Sequence, residues 1–153
     1  MNCAQLFLDT ADRLPNKVAI VFRNQEITYS ELKQQVLKFA NGLIEAGITP
    51  DSHVALLMTN CPQYIISYYG VLAAGATIVS VNPLYTDREL SYILNNADTK
   101  AVIYHELIQP TIDKTKASLT TADLLIEFSE TNPLCTWNQL LAVSYTHLRA
   151  HET

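Results

Sequence analysis

The chain has 153 residues, which is the size of one domain or of part of one. Apolar residues make up 48% of it, enough to build a buried core, and the formal net charge is −5. Because Lys and Arg are scattered rather than clustered, the composition argues against a nucleic-acid partner.

Local patterns in the first part of the chain predict a helix, a β-hairpin and a second helix. The first helix is predicted at residues 2–14 and the second at about residues 30–46. The hairpin consists of strands 18–22 and 27–28, joined by a turn at residues 24–25. Ser30 is a suitable N-cap for the second helix, because its hydroxyl can accept a hydrogen bond from a free backbone N–H. Gly47 ends that helix, since glycine readily adopts the left-handed conformation found there.

The rest of the chain alternates between short β-branched runs and segments of helical character. The predicted order is strand 53–58, helix 62–74, strand 77–81, helix 86–96, strand 100–104, helix 108–117, strand 124–128 and helix 137–142. Pro62 suits the first turn of its helix, and Thr86 with Glu89 forms a capping-box pattern. This alternation predicts an α/β fold, with an open, layered, mostly parallel sheet and helices on both faces.

One uncharged stretch raises the question of a membrane segment. Residues 54–86 contain no Lys, Arg, Asp or Glu, and the run from Tyr64 to Val81 approaches the length of a membrane span. Gly75 and Ala76 interrupt this run, and its second half is short and rich in β-branched residues. We therefore expect a buried helix followed by a buried parallel strand, with no transmembrane segment. A membrane-anchored protein that uses this run is the alternative.

The cysteines bear on the cellular compartment. Cys3, Cys61 and Cys135 are odd in number and show no Cys-x-x-Cys spacing, so neither a disulfide framework nor a zinc site is indicated. Residues 1–12 lack the basic and long apolar regions of a signal peptide. Together these features predict free thiols and a cytoplasmic location.

The last ten residues, 144–153, continue none of these patterns. They resemble a translated sequencing adapter, so we expect a non-native tail and a native sequence that stops near Val143. His147 and His151 have the spacing of a metal-binding pair on a helix, but only Glu152 lies nearby as a further ligand. The tail is therefore expected to have no function.

Motifs for catalysis and for phosphate binding are absent. Gly42 with Gly47, and Gly70 with Gly75, have the glycine spacing of a P-loop, but neither pair is followed by Lys and then Ser or Thr. All four glycines are interpreted as helix terminators. Neither Gly-x-Gly-x-x-Gly nor Gly-x-Ser-x-Gly occurs.

Titratable side chains do not form a recognisable site either. His53 and His105 have no identifiable partner and are interpreted as structural. Six carboxylates at turns and helix starts are interpreted as capping or solvent-facing charges: Glu26, Glu31, Glu45, Asp51, Asp87 and Glu89. We therefore assign no catalytic, cofactor-binding or metal-binding residue.

A resemblance to a known family comes from stretches that occur in order at the right spacing. They are Ile27–Leu32 (ITYSEL), the glycines at 42 and 47, residues 54–64 and 70–76, and residues 81–95. Together these stretches resemble the adenylate-forming, or AMP-binding, enzymes over about residues 3–104, and more loosely to Leu141. The Asn-Pro-Leu-Tyr-Thr form at 82–86 is most similar to the fatty acyl-CoA synthetase branch, the long-chain fatty acid–CoA ligases.

The resemblance implies that residues 1–143 are an incomplete N-terminal AMP-binding domain of an acid–thiol ligase. The parent enzyme would use ATP, CoA and Mg²⁺. The carboxylate of a fatty acid would attack the α-phosphate of ATP, and the thiol of CoA would then displace AMP to form a thioester. The resemblance also implies that the phosphate-binding loop and the catalytic lysine lie beyond this chain. We therefore expect the chain alone to be inactive and to bind none of these cofactors well.

Several alternatives stay open at this point. Within the family they are an aryl-CoA or succinylbenzoate-CoA ligase and a peptide-synthetase adenylation domain, which would be expected beside a carrier domain. Outside the family, the chain could be a non-catalytic α/β binding module. Peripheral membrane association is compatible with the sequence, and the acyl chain length and oligomeric state are not determined. Because a parallel sheet cut within its domain exposes strand edges, we also expect the isolated chain to fold poorly.

Overall fold

The structure is a computed structural model, and it describes residues 2–143. Helix α1 spans Cys3–Arg13, and the side chain of its N-cap Asn2 accepts a hydrogen bond from the backbone N–H of Gln5 at 3.0 Å. Strands β1, Val18–Phe22, and β2, Gln25–Thr28, then form an antiparallel hairpin. The expected helix and hairpin are confirmed.

The hairpin turn lies one residue earlier than expected. Arg23 and Asn24 both have positive φ, at 50° and 65°, as the two central residues of a type I′ turn require. Gln25 therefore belongs to β2 and pairs with Phe22, so the prediction of a turn at residues 24–25 is wrong.

Helix α2 spans Tyr29–Glu45, and its N-cap differs from the one predicted. Thr28 holds that position, since its Oγ1 accepts a hydrogen bond from the N–H of Glu31 at 3.2 Å. Ser30 lies inside the first turn of the helix and donates its own N–H to the carbonyl of Pro15. The helix is followed by Gly47 in the left-handed region, with φ of 104°, as predicted.

The rest of the described chain is a doubly wound unit of four strands and four helices. In chain order these are β3 (His53–Leu57), α3 (Pro62–Ala73), β4 (Thr77–Ser80), α4 (Asp87–Asn96), β5 (Thr99–His105), α5 (Gln109–Thr115), β6 (Leu124–Phe128) and α6 (Thr136–Leu141). All strand pairs in this sheet are parallel, and the strand order is β4-β3-β5-β6. The predicted α/β fold, with helices on both faces of a mostly parallel sheet, is confirmed.

The two faces of the sheet bury separate cores. Along β3, Val54 and Leu56 face a core that includes α1, α2, α3 and α6, whereas Ala55 and Leu57 face a smaller core under α4 and α5. All four side chains are at most 4% exposed. Burial on both faces explains why the strand is a continuous apolar run rather than an alternating one.

Strand β4 differs from the expectation of a strand buried on both faces. It lies at an edge of the sheet, where Ile78 and Val79 are half-buried while Thr77 and Ser80 are exposed. The prediction of complete burial is therefore wrong for β4, because an edge strand has a neighbour on one side only. The helix and strand on either side of Gly75 are confirmed, and within residues 2–143 no helix is long and apolar enough to cross a membrane.

Two of the four glycines have a role that differs from helix termination. Gly42 and Gly70 lie inside α2 and α3. A Cβ atom on Gly42 would lie 2.3 Å from the backbone oxygen of Leu140, and one on Gly70 would lie 2.9 Å from the ring of Phe39. These glycines therefore allow close helix packing, and interpreting them as helix terminators is wrong. Gly47 and Gly75, both with positive φ, do follow helix ends.

The tight packing of α2 and α3 encloses the single tryptophan of the chain. Trp137 is 2% exposed and stacks on Phe39 at a ring-centroid distance of 4.8 Å. Its Nε1–H donates to Oγ of Ser67 at 2.8 Å, and that hydroxyl donates to the carbonyl of Gln63 at 2.7 Å. The buried indole N–H is thus satisfied, and α6 is fixed against α3.

Candidate functional site at the carboxyl edge of the sheet

The winding of the sheet defines where a ligand crevice can form. From β3 the chain passes through α3 to β4 on one side, and then crosses back through α4 to β5 on the other side. Helices α3 and α4 contribute to opposite cores. The order therefore reverses between β3 and β5, and in open α/β sheets ligands bind beyond the carboxyl ends of the strands at such a switch point.

Polar side chains lie at and just beyond the carboxyl ends of β5 and β6. His105 is 5% exposed, and its Nδ1 accepts a hydrogen bond from the N–H of Leu107 at 3.2 Å. Because Nδ1 accepts, the proton of the neutral ring is on Nε2, which lies 3.9 Å from Oε1 of Glu130. Glu130 also contacts Arg23 of the hairpin turn, with Nη1 to Oε2 at 3.3 Å.

Glu106 is tied to the same loop. Its Oε2 accepts the backbone N–H of Glu130 at 2.7 Å. This hydrogen bond, with a second from Ser129, lowers the pKa of the Glu106 carboxyl below its ordinary value. Glu106 is therefore ionised at neutral pH and acts as a connector between the loops after β5 and β6.

A cavity of about 360 Å³ opens beside this edge. It is lined by Phe22, Arg23, Gln25, Pro62, Gln63, Phe128 and Glu130. Its walls come from the hairpin, from the N-terminus of α3 and from the end of β6. The cavity offers amide groups and charges of both signs, which suits binding of a polar group.

Two features bear on whether this edge holds a reactive thiol or a metal ion. Cys61 lies at the N-terminus of α3, but burial raises the pKa of its thiol and so disfavours the thiolate. Within residues 2–143, no group of three or more His, Cys, Asp or Glu side chains could hold a metal ion.

The histidines and carboxylates considered from the sequence are distributed over different parts of the fold. His53 lies at the opposite end of the sheet from His105, and its Nδ1 donates to the carbonyl of Ala97 at 2.6 Å. Glu31 and Glu89 participate in helix caps, as expected. His147 and His151 lie outside the described residues. The cysteines at 3, 61 and 135 are free thiols, as predicted.

The sequence did not indicate the grouping of Arg23, Gln63 and Glu130. Their separation along the chain is large, and each belongs to a different loop or helix end. Their proximity depends on how the hairpin, the start of α3 and the loop after β6 pack together, which local sequence patterns do not contain.

These features define an open, doubly wound α/β domain with a polar carboxyl edge. A family model described as "AMP-binding enzyme" matches residues 7–144. The chain therefore belongs to the family of AMP-binding, adenylate-forming enzymes, in agreement with the resemblance seen in its motifs.

Individual relatives agree with this assignment. The long-chain-fatty-acid–CoA ligase of Bacillus subtilis (strain 168) is 39% identical over 121 residues, which are 79% of this chain and 22% of that enzyme. Bacitracin synthase 3 of Bacillus licheniformis is 32% identical over 121 residues, 79% of this chain and 2% of the synthase. The chain thus spans about a fifth or less of the length of these relatives.

A solved structure shows the same fold. The anthranilate CoA ligase AuaEII, crystallised in complex with anthranoyl-AMP, superposes with a TM-score of 0.88 at 22% identity. The alignment covers 98% of this chain and 29% of that one. At this identity the likeness establishes the fold of the described residues and does not extend to substrate.

Proposed function

We propose that this chain is the N-terminal part of an ATP-dependent fatty acid–CoA ligase, which adenylates a carboxylic acid and transfers the acyl group to CoA. The observation that carries the proposal is the 39% identity to the Bacillus subtilis long-chain-fatty-acid–CoA ligase over 121 residues. The Asn-Pro-Leu-Tyr-Thr stretch at 82–86 supports the same branch of the family.

The proposal gives residues 1–143 a structural role as an incomplete N-terminal AMP-binding domain. Residues 144–153 are treated as a non-native tail. The described residues supply a rigid sheet and a polar edge but no metal-ligand group and no activated nucleophile. Binding of ATP, CoA and Mg²⁺ is assigned to the larger remainder of the parent enzyme, and the chain alone is inactive in this proposal.

The location and the partners belong to the same proposal. The substrate is a fatty acid, and the enzyme is cytoplasmic, which is supported by three unpaired cysteines. Any membrane association is peripheral.

One alternative has a specific observation in its favour. The 32% identity to bacitracin synthase 3 favours the peptide-synthetase adenylation domain. That domain and the proposed ligase belong to the same family, so the acid that is activated distinguishes them.

The experiment is to sequence the parent locus past the codon for Val143 and to assay the recovered full-length protein. The assay measures ATP- and CoA-dependent thioester formation with short, medium and long fatty acids, with anthranilate and with succinylbenzoate. The peptide-synthetase alternative is tested by measuring whether amino acids promote the exchange of pyrophosphate into ATP.

The control is the 153-residue chain under the same conditions, which we expect to give no product. Preference for a long or medium fatty acid supports the proposal. A preference for an aryl acid, or exchange with an amino acid and no CoA thioester, would replace it with the corresponding alternative.

A further inference from the structure

The same tripeptide, Asn-Pro-Leu, forms the same turn at two places in the fold. It occurs at residues 82–84 and 132–134. In each copy the asparagine Oδ1 accepts the leucine N–H, at 2.9 and 3.0 Å. The asparagine carbonyl accepts the N–H of the residue after the leucine, Tyr85 or Cys135, at 3.1 Å in both. The two turns follow β4 and β6, the two edge strands of the parallel sheet.

Both turns direct a leucine side chain into solvent. Leu84 is 87% exposed and Leu134 is 75% exposed, while Leu107, after β5, is 71% exposed. These are the three most exposed large apolar side chains of residues 2–143, and each follows a parallel strand at the carboxyl edge. A single exposed leucine is ordinary, and the notable feature here is that all three lie at one edge of the sheet.

The two leucines are held in place before any contact forms. The proline of each turn restricts φ, and the side chain of its asparagine closes the backbone. The capping box of Thr86 and Glu89 follows the first turn directly, and Nε2 of Gln139 donates to the carbonyl of Leu134 at 2.7 Å in the second. Rigid apolar groups lose little conformational freedom on binding, which favours their use as anchors.

We propose that the carboxyl edge, with Leu84 and Leu134 as outer anchors and Leu107 between them, is the surface on which the later part of the parent polypeptide docks. This inference rests on the proposed function for one point, the existence of a longer parent polypeptide. The chain spans 22% of the Bacillus subtilis ligase and 29% of the AuaEII chain, so most of such a polypeptide lies outside it. Apolar anchors beside the charged Glu106 and Glu130 have the composition of an interface core and its polar rim.

The position of the anchors also suits the winding of the sheet. The ligand crevice of a doubly wound sheet lies at the carboxyl edge, between β3 and β5 in this fold. Anchors after β4 and β6 flank that crevice on both sides. A segment that contacts both leucine anchors would cover the crevice between β3 and β5 and leave room for a ligand inside it.

The test is thiol accessibility in the recovered full-length protein, in lipid-free buffer at a concentration where it is monomeric. Leu84→Cys and Leu134→Cys are made separately in a Cys3→Ser background, and labelling by a maleimide is followed peptide by peptide with mass spectrometry. Tyr92→Cys is the matched control, since Tyr92 is 70% exposed but lies on α4, away from this edge.

We expect cysteines at 84 and 134 to react at least about tenfold more slowly than the cysteine at 92. Equal labelling rates at positions 84, 134 and 92 would overturn the inference. It would also be overturned if positions 84 and 134 were protected only after lipid vesicles are added, or only when the protein is a dimer. A reading frame that ends at Thr153 would also overturn it. Ligase activity is assayed on the same preparations, so protection without activity would reject the proposed function and retain the interface.

Discussion

The hydrogen bond from Trp137 to Ser67 offers a perturbation whose size can be worked out in advance. Ser67→Ala removes the acceptor of a buried indole N–H, and leaving such a donor unsatisfied costs about 1–3 kcal/mol. The gain in helix propensity from Ser to Ala is roughly 0.5 kcal/mol. The expected net loss of unfolding free energy is therefore about 0.5–2.5 kcal/mol.

Trp137 is also the reporter for this measurement, because it is the single tryptophan in the chain. Urea unfolding of the dilute 153-residue chain is followed by its fluorescence. With a denaturant slope of about 2 kcal/mol/M, the midpoint should fall by about 0.25–1.25 M urea.

Ser91→Ala is the matched control. Ser91 also lies within a helix, and its Oγ donates to the carbonyl four residues earlier, Asp87, at 2.8 Å, as that of Ser67 does to Gln63 at 2.7 Å. The control loses the same back-bond and gains the same propensity, but it has no tryptophan partner. Its midpoint should stay the same or rise slightly, and equal midpoints for the two variants would refute the role assigned to the Trp137 hydrogen bond.

Three further predictions concern packing, ionisation and the open edges. Gly42→Ala should lower the unfolding midpoint, because its Cβ would lie 2.3 Å from the backbone oxygen of Leu140; Gln34→Ala on the exposed side of α2 is the control. Burial raises the pKa of Tyr104 to about 12, so stability present below pH 10 should be lost as pH rises towards 12, and Tyr104→Phe should remove this dependence in alkaline unfolding curves. At concentrations well above those of the urea experiments, the isolated chain should self-associate through its open strand edges in sedimentation experiments, and a chain that stays monomeric would contradict this.

Most of the fold could be predicted from the alternation of strands and helices along the chain. Buried strands such as Val54–Leu57, the capping box at Thr86 and the positive φ of Gly47 depend on local chemistry, and local patterns located them. The strand Leu124–Phe128 has the predicted bounds. The switch point depends on strand order, which local patterns do not contain.

Apart from the hairpin turn, the errors have a common physical cause, since each depends on a contact distant in sequence. Gly42 resembles a helix terminator until α6 is found against it, and the half-burial of β4 depends on its edge position. Ser30 and Thr28 are both good capping residues, and the hydrogen bond from Ser30 N–H to Pro15 places Ser30 inside the helix. Similarly, the repeated Asn-Pro-Leu turn gains meaning only when both copies lie at one edge.

The most direct test of the central claim is formation of acyl-CoA from a long-chain fatty acid, ATP and CoA by the recovered full-length protein, followed by mass spectrometry. The account predicts an acyl-adenylate intermediate and an acyl-CoA product with the full-length protein, and neither with residues 1–153 alone. A full-length protein that forms no adenylate with any carboxylic acid, or a 153-residue chain that forms acyl-CoA unaided, would contradict it.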